Sequence, residues 1–117
     1  MWVKNFWELD CWKEARILTN RIYGINFSRD FGLQDQIRRS SLSIMANIAE
    51  GFGRQSNLEF IRFLDIARAS SAETQSHLFI SYDLKYIDEN KLNELISQCQ
   101  KTAKIITGLI KKLREKK

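Results

Sequence analysis

The chain has 117 residues, of which 44% are hydrophobic and 28% are charged, and its formal net charge is +5. This length fits one globular domain over residues 1–117, and the balance of apolar and charged residues excludes an intrinsically disordered chain. No apolar run reaches the roughly 18 residues of a membrane-spanning helix, and the N-terminus lacks the apolar segment of a signal peptide, which predicts a cytoplasmic protein. The absence of proline and the presence of only five glycines favour long helices.

The sequence predicts a first helix over residues 7–26. Its apolar side chains recur at alternating spacings of four and three, which places them on one stripe. The stripe consists of Cys11, Ala15, Leu18, Ile22 and Ile25. Aromatic residues near the start of the helix, Phe6, Trp7 and Trp12, add a second apolar face. A helix with two apolar faces requires two neighbours, one of which can be another subunit.

A connection over residues 26–32, with Gly32 as its turn residue, leads to a second predicted helix over residues 33–53. The inner face of this helix alternates isoleucines with small residues. Small side chains allow a neighbouring helix to approach closely. Gly51 and Gly53 are expected to end the helix.

Two further helices follow. Ser56 and Glu59 have the spacing of a capping box, which predicts that a third helix begins here and runs to residue 84 or 86. Its small segment, residues 67–72, is expected to pack against the small face of the second helix. Asp88 is a favourable N-cap for the fourth helix, whose heptad pattern is the most regular in the chain. The short connections predict an all-α, antiparallel, up-down-up-down four-helix bundle.

Positive charge is concentrated at the C-terminal end of the chain. Seven of the 19 basic residues follow position 100, against one of the 14 acidic residues. One interpretation is a surface that binds a polyanion. The other is that the cations complement the helix dipole and keep a small protein soluble. The seven residues are Lys101, Lys104, Lys111, Lys112, Arg114, Lys116 and Lys117.

The sequence contains no recognisable catalytic or metal-binding arrangement. His77 is the only histidine, and one Glu73–His77 pair is too few ligands for a metal site. Cys11 and Cys99 lack metal-ligand spacing and fall on apolar stripes, which predicts buried, reduced thiols. The serines of the middle helices lack a partner base, and no glycine-rich phosphate loop is present. We therefore expect no cofactor, no metal and no enzymatic activity.

Polar residues of the second and third helices have two interpretations. Asn47, Glu50 and Arg54 could form a structural polar network that fixes helix register or oligomeric state. Alternatively, arginines of both helices could form an anion site. Those arginines are Arg38, Arg39, Arg54, Arg62 and Arg68.

A family resemblance rests on a larger set of residues in the same region. They are Phe31-Gly32-Leu33, Gln36-Ile37-Arg38-Arg39, Ser43-Ile44, Asn47-Ile48-Ala49-Glu50-Gly51, Arg54, Phe60, Phe63-Leu64, Ile66-Ala67, Ser70 and Glu73. This pattern resembles the signature of the bacterial four-helix-bundle proteins encoded in 23S rRNA intervening sequences, and the resemblance extends over nearly the whole chain. The chain has Lys85 where the family often has glycine, so the end of the third helix is a point of difference.

The resemblance implies an antiparallel bundle that assembles as a ring-like homopentamer. It also implies a relation to accessory proteins of diversity-generating retroelements, which bind nucleic acid and a reverse transcriptase. With the charge distribution, this predicts a non-enzymatic oligomer that binds structured RNA, such as rRNA, or another nucleic acid. The seven C-terminal cations would contact phosphates, joined by Arg38, Arg39 and Arg54 where these are exposed. The alternative is a protein-interaction scaffold in which Trp2, Phe6 and Trp7 anchor a protein partner.

Overall fold

The structure is a computed structural model that describes residues 3–115, so the predicted roles of Trp2, Lys116 and Lys117 lie outside the described residues. Four α-helices and one short 3-10 turn make up the described part, which contains no strand. The turn is Phe6–Glu8, and the helices are α1 (Asp10–Tyr23), α2 (Phe31–Phe52), α3 (Asn57–Asp83) and α4 (Glu89–Glu115).

The helices form an elongated bundle of 48 × 22 × 19 Å in which each helix contacts two neighbours. Helix α1 packs against α2 and α4, and α3 packs against α2 and α4. From Asn57 to Ser71 along α3, the contacted residue of α4 moves back from Leu113 to Cys99, so these two helices run in opposite directions. The predicted all-α, antiparallel four-helix bundle is therefore confirmed.

The first helix is shorter than predicted at both ends. Leu9 is extended, with φ −71° and ψ 132°, and it separates the 3-10 turn from α1. The turn closes on itself because the backbone N–H of Asn5 donates to the Glu8 carboxylate over 2.9 Å. Leu9 is buried in the core, and α1 ends at Tyr23 before Gly24. The prediction of one continuous helix over residues 7–26 is wrong because the Asn5–Glu8 bonds and the burial of Leu9 override the apolar periodicity.

The second helix begins two residues earlier than predicted. The Asp30 side chain accepts a hydrogen bond from the backbone N–H of Leu33 over 3.1 Å and thereby caps the helix. Gly32 consequently lies within the first turn and is not the turn residue. Gly53 caps the C-terminus, whereas Gly51 lies inside the helix. The predicted caps at Ser56 and Asp88 are confirmed, since each side chain accepts a backbone N–H three residues later.

Isoleucine and leucine side chains from all four helices fill the core. The fully buried ones are Leu18, Ile22, Ile37, Ile44, Ile48, Leu64, Leu78, Leu95, Ile106, Ile110 and Leu113. Cys11 and Cys99 are also fully buried and unpaired, as the sequence predicts. Burial raises the pKa of both thiols to about 12, which keeps them protonated and unreactive at neutral pH.

A chain of hydroxyl groups crosses the contact between α2 and α3. Thr74 Oγ1 lies 2.8 Å from Ser40 Oγ and donates within α3 to the Ser70 carbonyl, also over 2.8 Å. Ser43 Oγ and Ser70 Oγ are 2.8 Å apart, and Asn47 Nδ2 donates to Ser43 Oγ over 3.0 Å. These five residues form the hydroxyl ladder, which joins the predicted small segment of α3 to the small face of α2. Each buried polar group thereby has a partner, so close packing does not leave it unsatisfied.

Gly51 allows α3 to approach α2 at the other end of the same contact. A Cβ atom at this position would lie 2.7 Å from Phe63 Cβ and 3.3 Å from the carbonyl oxygen of Phe60. A side chain cannot fit at this distance without a shift of the α3 backbone. Gly51 is therefore a packing residue and not a helix terminator.

We predict that Gly51→Ala lowers the free energy of unfolding by about 1–3 kcal/mol, because it overpacks the α2–α3 contact. Chemical denaturation with circular dichroism measures the change. Gly108→Ala is the matched control: nothing lies within 4 Å of its added Cβ in α4. The control should raise the free energy of unfolding by up to about 1 kcal/mol, since alanine favours the helix. Equal stability of Gly51→Ala and the wild type would contradict the close contact.

Helix α3 ends in a Schellman motif with an unfavourable residue at its left-handed position. The backbone N–H of Lys85 donates to the Tyr82 carbonyl and that of Tyr86 to the Ser81 carbonyl, both over 2.9 Å. This geometry requires a positive φ, which is 67° at Lys85. Glycine adopts this conformation without the steric penalty of a Cβ atom.

We therefore predict that Lys85→Gly raises the free energy of unfolding by about 1 kcal/mol. Lys85→Ala removes the same long side chain but keeps the Cβ atom, so it should leave stability close to the wild-type value. Thermal and chemical denaturation of both variants test the difference. If the glycine and alanine variants are equally stable, strain at this position does not limit stability.

Candidate nucleic-acid interface

Helix α4 carries five exposed cations from residue 101 onward within the described residues. They are Lys101, Lys104, Lys111, Lys112 and Arg114. Lys104 and Lys111 lie about two helical turns apart and share the outward face of the helix. Lys101 and Lys112 lie nearer α1. Lys101 Nζ is 3.4 Å from the Glu14 carboxylate, and Lys112 borders a shallow hollow that Asp10 also lines.

Three of these cations are available to an external anion. Lys104, Lys111 and Arg114 are exposed and have no ion pair or side-chain hydrogen bond within residues 3–115. They extend along one helix on the side away from the core. A row of unpaired cations on a rigid helix can contact successive phosphates without first breaking an internal ion pair.

The other three arginines of the predicted interface, two on α2 and Arg54 just after it, all have partners within the bundle. The Arg38 guanidinium carbon lies 4.4 Å from the centre of the Tyr23 ring, and its Nη2 donates to the Tyr23 carbonyl over 3.3 Å. Arg39 pairs with Asp35 over 3.0 Å and is exposed. Arg54 pairs with Glu50 over 2.8 Å. Arg38 and Arg39 lie on α2, which does not contact α4, so the structure does not bring these two arginines together with the α4 cations.

The alternative anion site also falls on separate sides of the bundle. Arg68 bridges α3 and α4, since its Nη1 donates to Thr107 Oγ1 over 3.1 Å and its Nη2 pairs with Asp65. Arg38 lies instead at the α1–α2 contact, and Arg62 is exposed on α3. Five arginines so distributed cannot enclose one small anion.

The predicted polar network is divided in the structure. Asn47 belongs to the hydroxyl ladder through its bond with Ser43. Glu50 and Arg54 form a separate exposed pair, and the Arg54 guanidinium carbon lies 4.7 Å from the centre of the Phe63 ring. The sequence predicts small residues on the facing sides of α2 and α3, but it does not predict the hydrogen bonds between their serines. The recurrence of serine on the inner faces of both helices is the sequence signal that indicates such bonds.

No metal centre is evident within residues 3–115, where no group of three or more His, Cys, Asp or Glu side chains could hold an ion. His77 Nε2 lies 3.4 Å from the Glu73 carboxylate, which is the pair that the helical spacing predicts. In the described part of the chain, no helix combines the length and apolar character needed to cross a membrane.

Known proteins resemble the chain in both sequence and fold. A solved structure from Bacteroides thetaiotaomicron VPI-5482, a protein of unknown function from the S23 ribosomal protein family, superposes with a TM-score of 0.79 at 27% identity. The superposition covers 86% of this chain and 98% of that one. Comparison with curated proteins finds no match.

The sequence profile of one family, described as 23S rRNA-intervening sequence protein, matches residues 7–108. The matched region includes all of α1, α2 and α3, the hydroxyl ladder and most of α4. It also agrees with the resemblance found in the sequence around residues 31–73. The protein therefore belongs to the 23S rRNA-intervening sequence protein family.

Proposed function

We propose that the protein is a non-enzymatic, cytoplasmic bundle that self-associates and binds structured RNA through the outward face of α4. The observation that supports this proposal is the row of exposed cations Lys104, Lys111 and Arg114, which have no ion pair within the described residues. By contrast, Arg38, Arg39 and Arg54 already have partners on α1 and α2.

Binding of this kind would depend on the phosphate backbone. Lysine and arginine side chains along one helix face can neutralise phosphates and release condensed counterions, which makes affinity fall steeply with salt. Double-stranded RNA offers proteins mainly its shape, phosphates and 2′-hydroxyl groups, so a cationic helix needs no base-reading side chains to bind it. Lys101 and Lys112 would add contacts at the edge of the same face.

Self-association would strengthen this modest surface. One α4 face offers few phosphate contacts, whereas a ring that repeats it gains affinity through effective concentration. Closed cyclic symmetry is the usual form of soluble oligomers. We propose the homopentamer that the family resemblance implies, with rRNA as the first RNA to test.

Trp7 favours a second candidate function, a scaffold that binds a protein partner. Its side chain is 52% exposed and packs edge-on against Phe6, with ring centroids 5.1 Å apart. Exposed tryptophans are frequent anchors of protein interfaces. A stoichiometric protein partner that stays bound after nuclease treatment and at high salt would support this candidate, and its loss in Trp7→Ala would locate the contact.

We predict that the triple variant Lys104→Gln, Lys111→Gln and Arg114→Gln weakens RNA binding by about tenfold or more at low salt. It should also reduce the slope of log affinity against log salt concentration by about 2, because up to three phosphate contacts are lost. Fluorescence anisotropy with a 23S rRNA hairpin and with an unrelated hairpin, over a salt series, measures both quantities. Both RNAs should respond alike, since the contacts read no bases.

A variant with the same change in net charge provides the control. The control carries Arg29→Gln, Lys85→Gln and Lys91→Gln, which remove three cations at the opposite end of the bundle. Arg29 lies in the α1–α2 loop, Lys85 in the α3–α4 loop and Lys91 in the first turn of α4. This control should retain most of the affinity and the slope. Equal losses in the two triple variants would show that only net charge matters, and no binding by the wild type at low salt would reject the RNA-binding proposal.

A further inference from the structure

Helix α3 has an apolar outer face that no other part of the described chain covers. We define the α3 face as Ile66, Ala69, Ala72, Ser76, Phe79 and Ile80, all exposed. Phe79 is 53% exposed and Ile80 41% exposed. From Ile66 to Ile80 the face extends about 21 Å along the helix. A contiguous apolar surface of this kind on a small protein indicates an interaction site.

The charges on this half of α3 are all negative. Residues 69–83 contain Glu73 and Asp83 but no lysine or arginine. Both acidic residues are exposed, and Asp83 has no ion pair within residues 3–115. From Ala69 onward the α3 face is therefore an apolar helix surface with an acidic border, whereas Arg62 lies one turn before Ile66.

A second apolar surface lies on the other side of α2. We define the α1–α2 groove as the hollow of about 280 Å³ lined by Phe6, Trp12, Leu42, Met45, Ala46 and Ala49. Its lining contains no charged residue. A cation next to it is Arg16, whose guanidinium carbon lies 5.6 Å from the centre of the Trp12 ring. Arg16 has no carboxylate partner within residues 3–115.

We infer that the α3 face of one copy docks in the α1–α2 groove of the next copy. The inference rests on the self-association in the proposed function and names the two surfaces that would meet. An apolar helix face in an apolar groove is a common recognition mode. The acidic border of the first surface, with Glu73 and Asp83, complements Arg16 beside the second.

The two surfaces differ, so the contact is heterologous. Repetition of a heterologous contact generates a closed ring, or a filament where the rotation does not close. Neither surface includes α4. Assembly through them would therefore leave the cationic face of α4 exposed on every copy, which is the arrangement that avid RNA binding requires.

Variants that block one surface at a time test the inference. Ile80→Glu places a charge in the α3 face, and Ala46→Glu places one in the α1–α2 groove; both positions are exposed, so the fold should persist. Ile17→Glu is the matched control, because Ile17 is 42% exposed on α1 outside both surfaces. Size-exclusion chromatography with light scattering reports the mass, and circular dichroism reports the fold. We expect monomers for the two blocked variants and the wild-type assembly for the control.

Mixing the two blocked variants provides the decisive measurement. One intact α3 face and one intact groove remain in the mixture, so the heterologous contact predicts a 1:1 dimer that cannot grow. A mixture that stays monomeric, or a blocked variant that assembles like the wild type, would overturn the inference while leaving self-association possible through another surface. A wild-type protein that is monomeric at all concentrations would instead reject self-association itself.

Discussion

Helices α2 and α3 pack closely because Gly51 of α2 has no side chain at the point where Phe60 and Phe63 of α3 lie against it. The hydroxyl ladder continues this contact with side chains that are small as well as polar, and it satisfies each hydroxyl within the core. These two helices share the most extensive contact in the bundle. Both α1 and α4 pack against this pair, so the positions of both depend on the α2–α3 distance.

The residues that set the α2–α3 distance are different from the exposed residues that form the candidate binding surfaces. Many residues that mark the family lie at the α2–α3 contact, where Ser43, Asn47, Gly51 and Ser70 set the distance between the helices. Their role is explained by packing. Three surfaces lie outside this contact. The cationic face of α4 supports the RNA-binding proposal, and the α3 face and the α1–α2 groove support the proposed contact between copies. One side of the bundle would bind RNA while the others join copies.

The architecture could be predicted because the apolar periodicity and the caps at Ser56 and Asp88 all favour four helices. The start of α1 could not be predicted. Asn5 and Glu8 form local hydrogen bonds and Leu9 is extended and buried, and apolar periodicity detects neither feature. The concentration of charge near the C-terminus was visible in the sequence. The sequence does not show which of these cations have an ion-pair partner, because Glu14 and Lys101 meet only when α1 packs against α4.

Native-state hydrogen exchange, followed by NMR, tests the dependence on the α2–α3 contact most directly. If this contact holds the bundle together, amides around Ile44, Ile48, Leu64 and Ala67 should exchange only through global unfolding. Amides of α1, the shortest helix, should exchange earlier through partial opening. Maximal protection in α1 and α4, with earlier exchange in α2 or α3, would contradict the account.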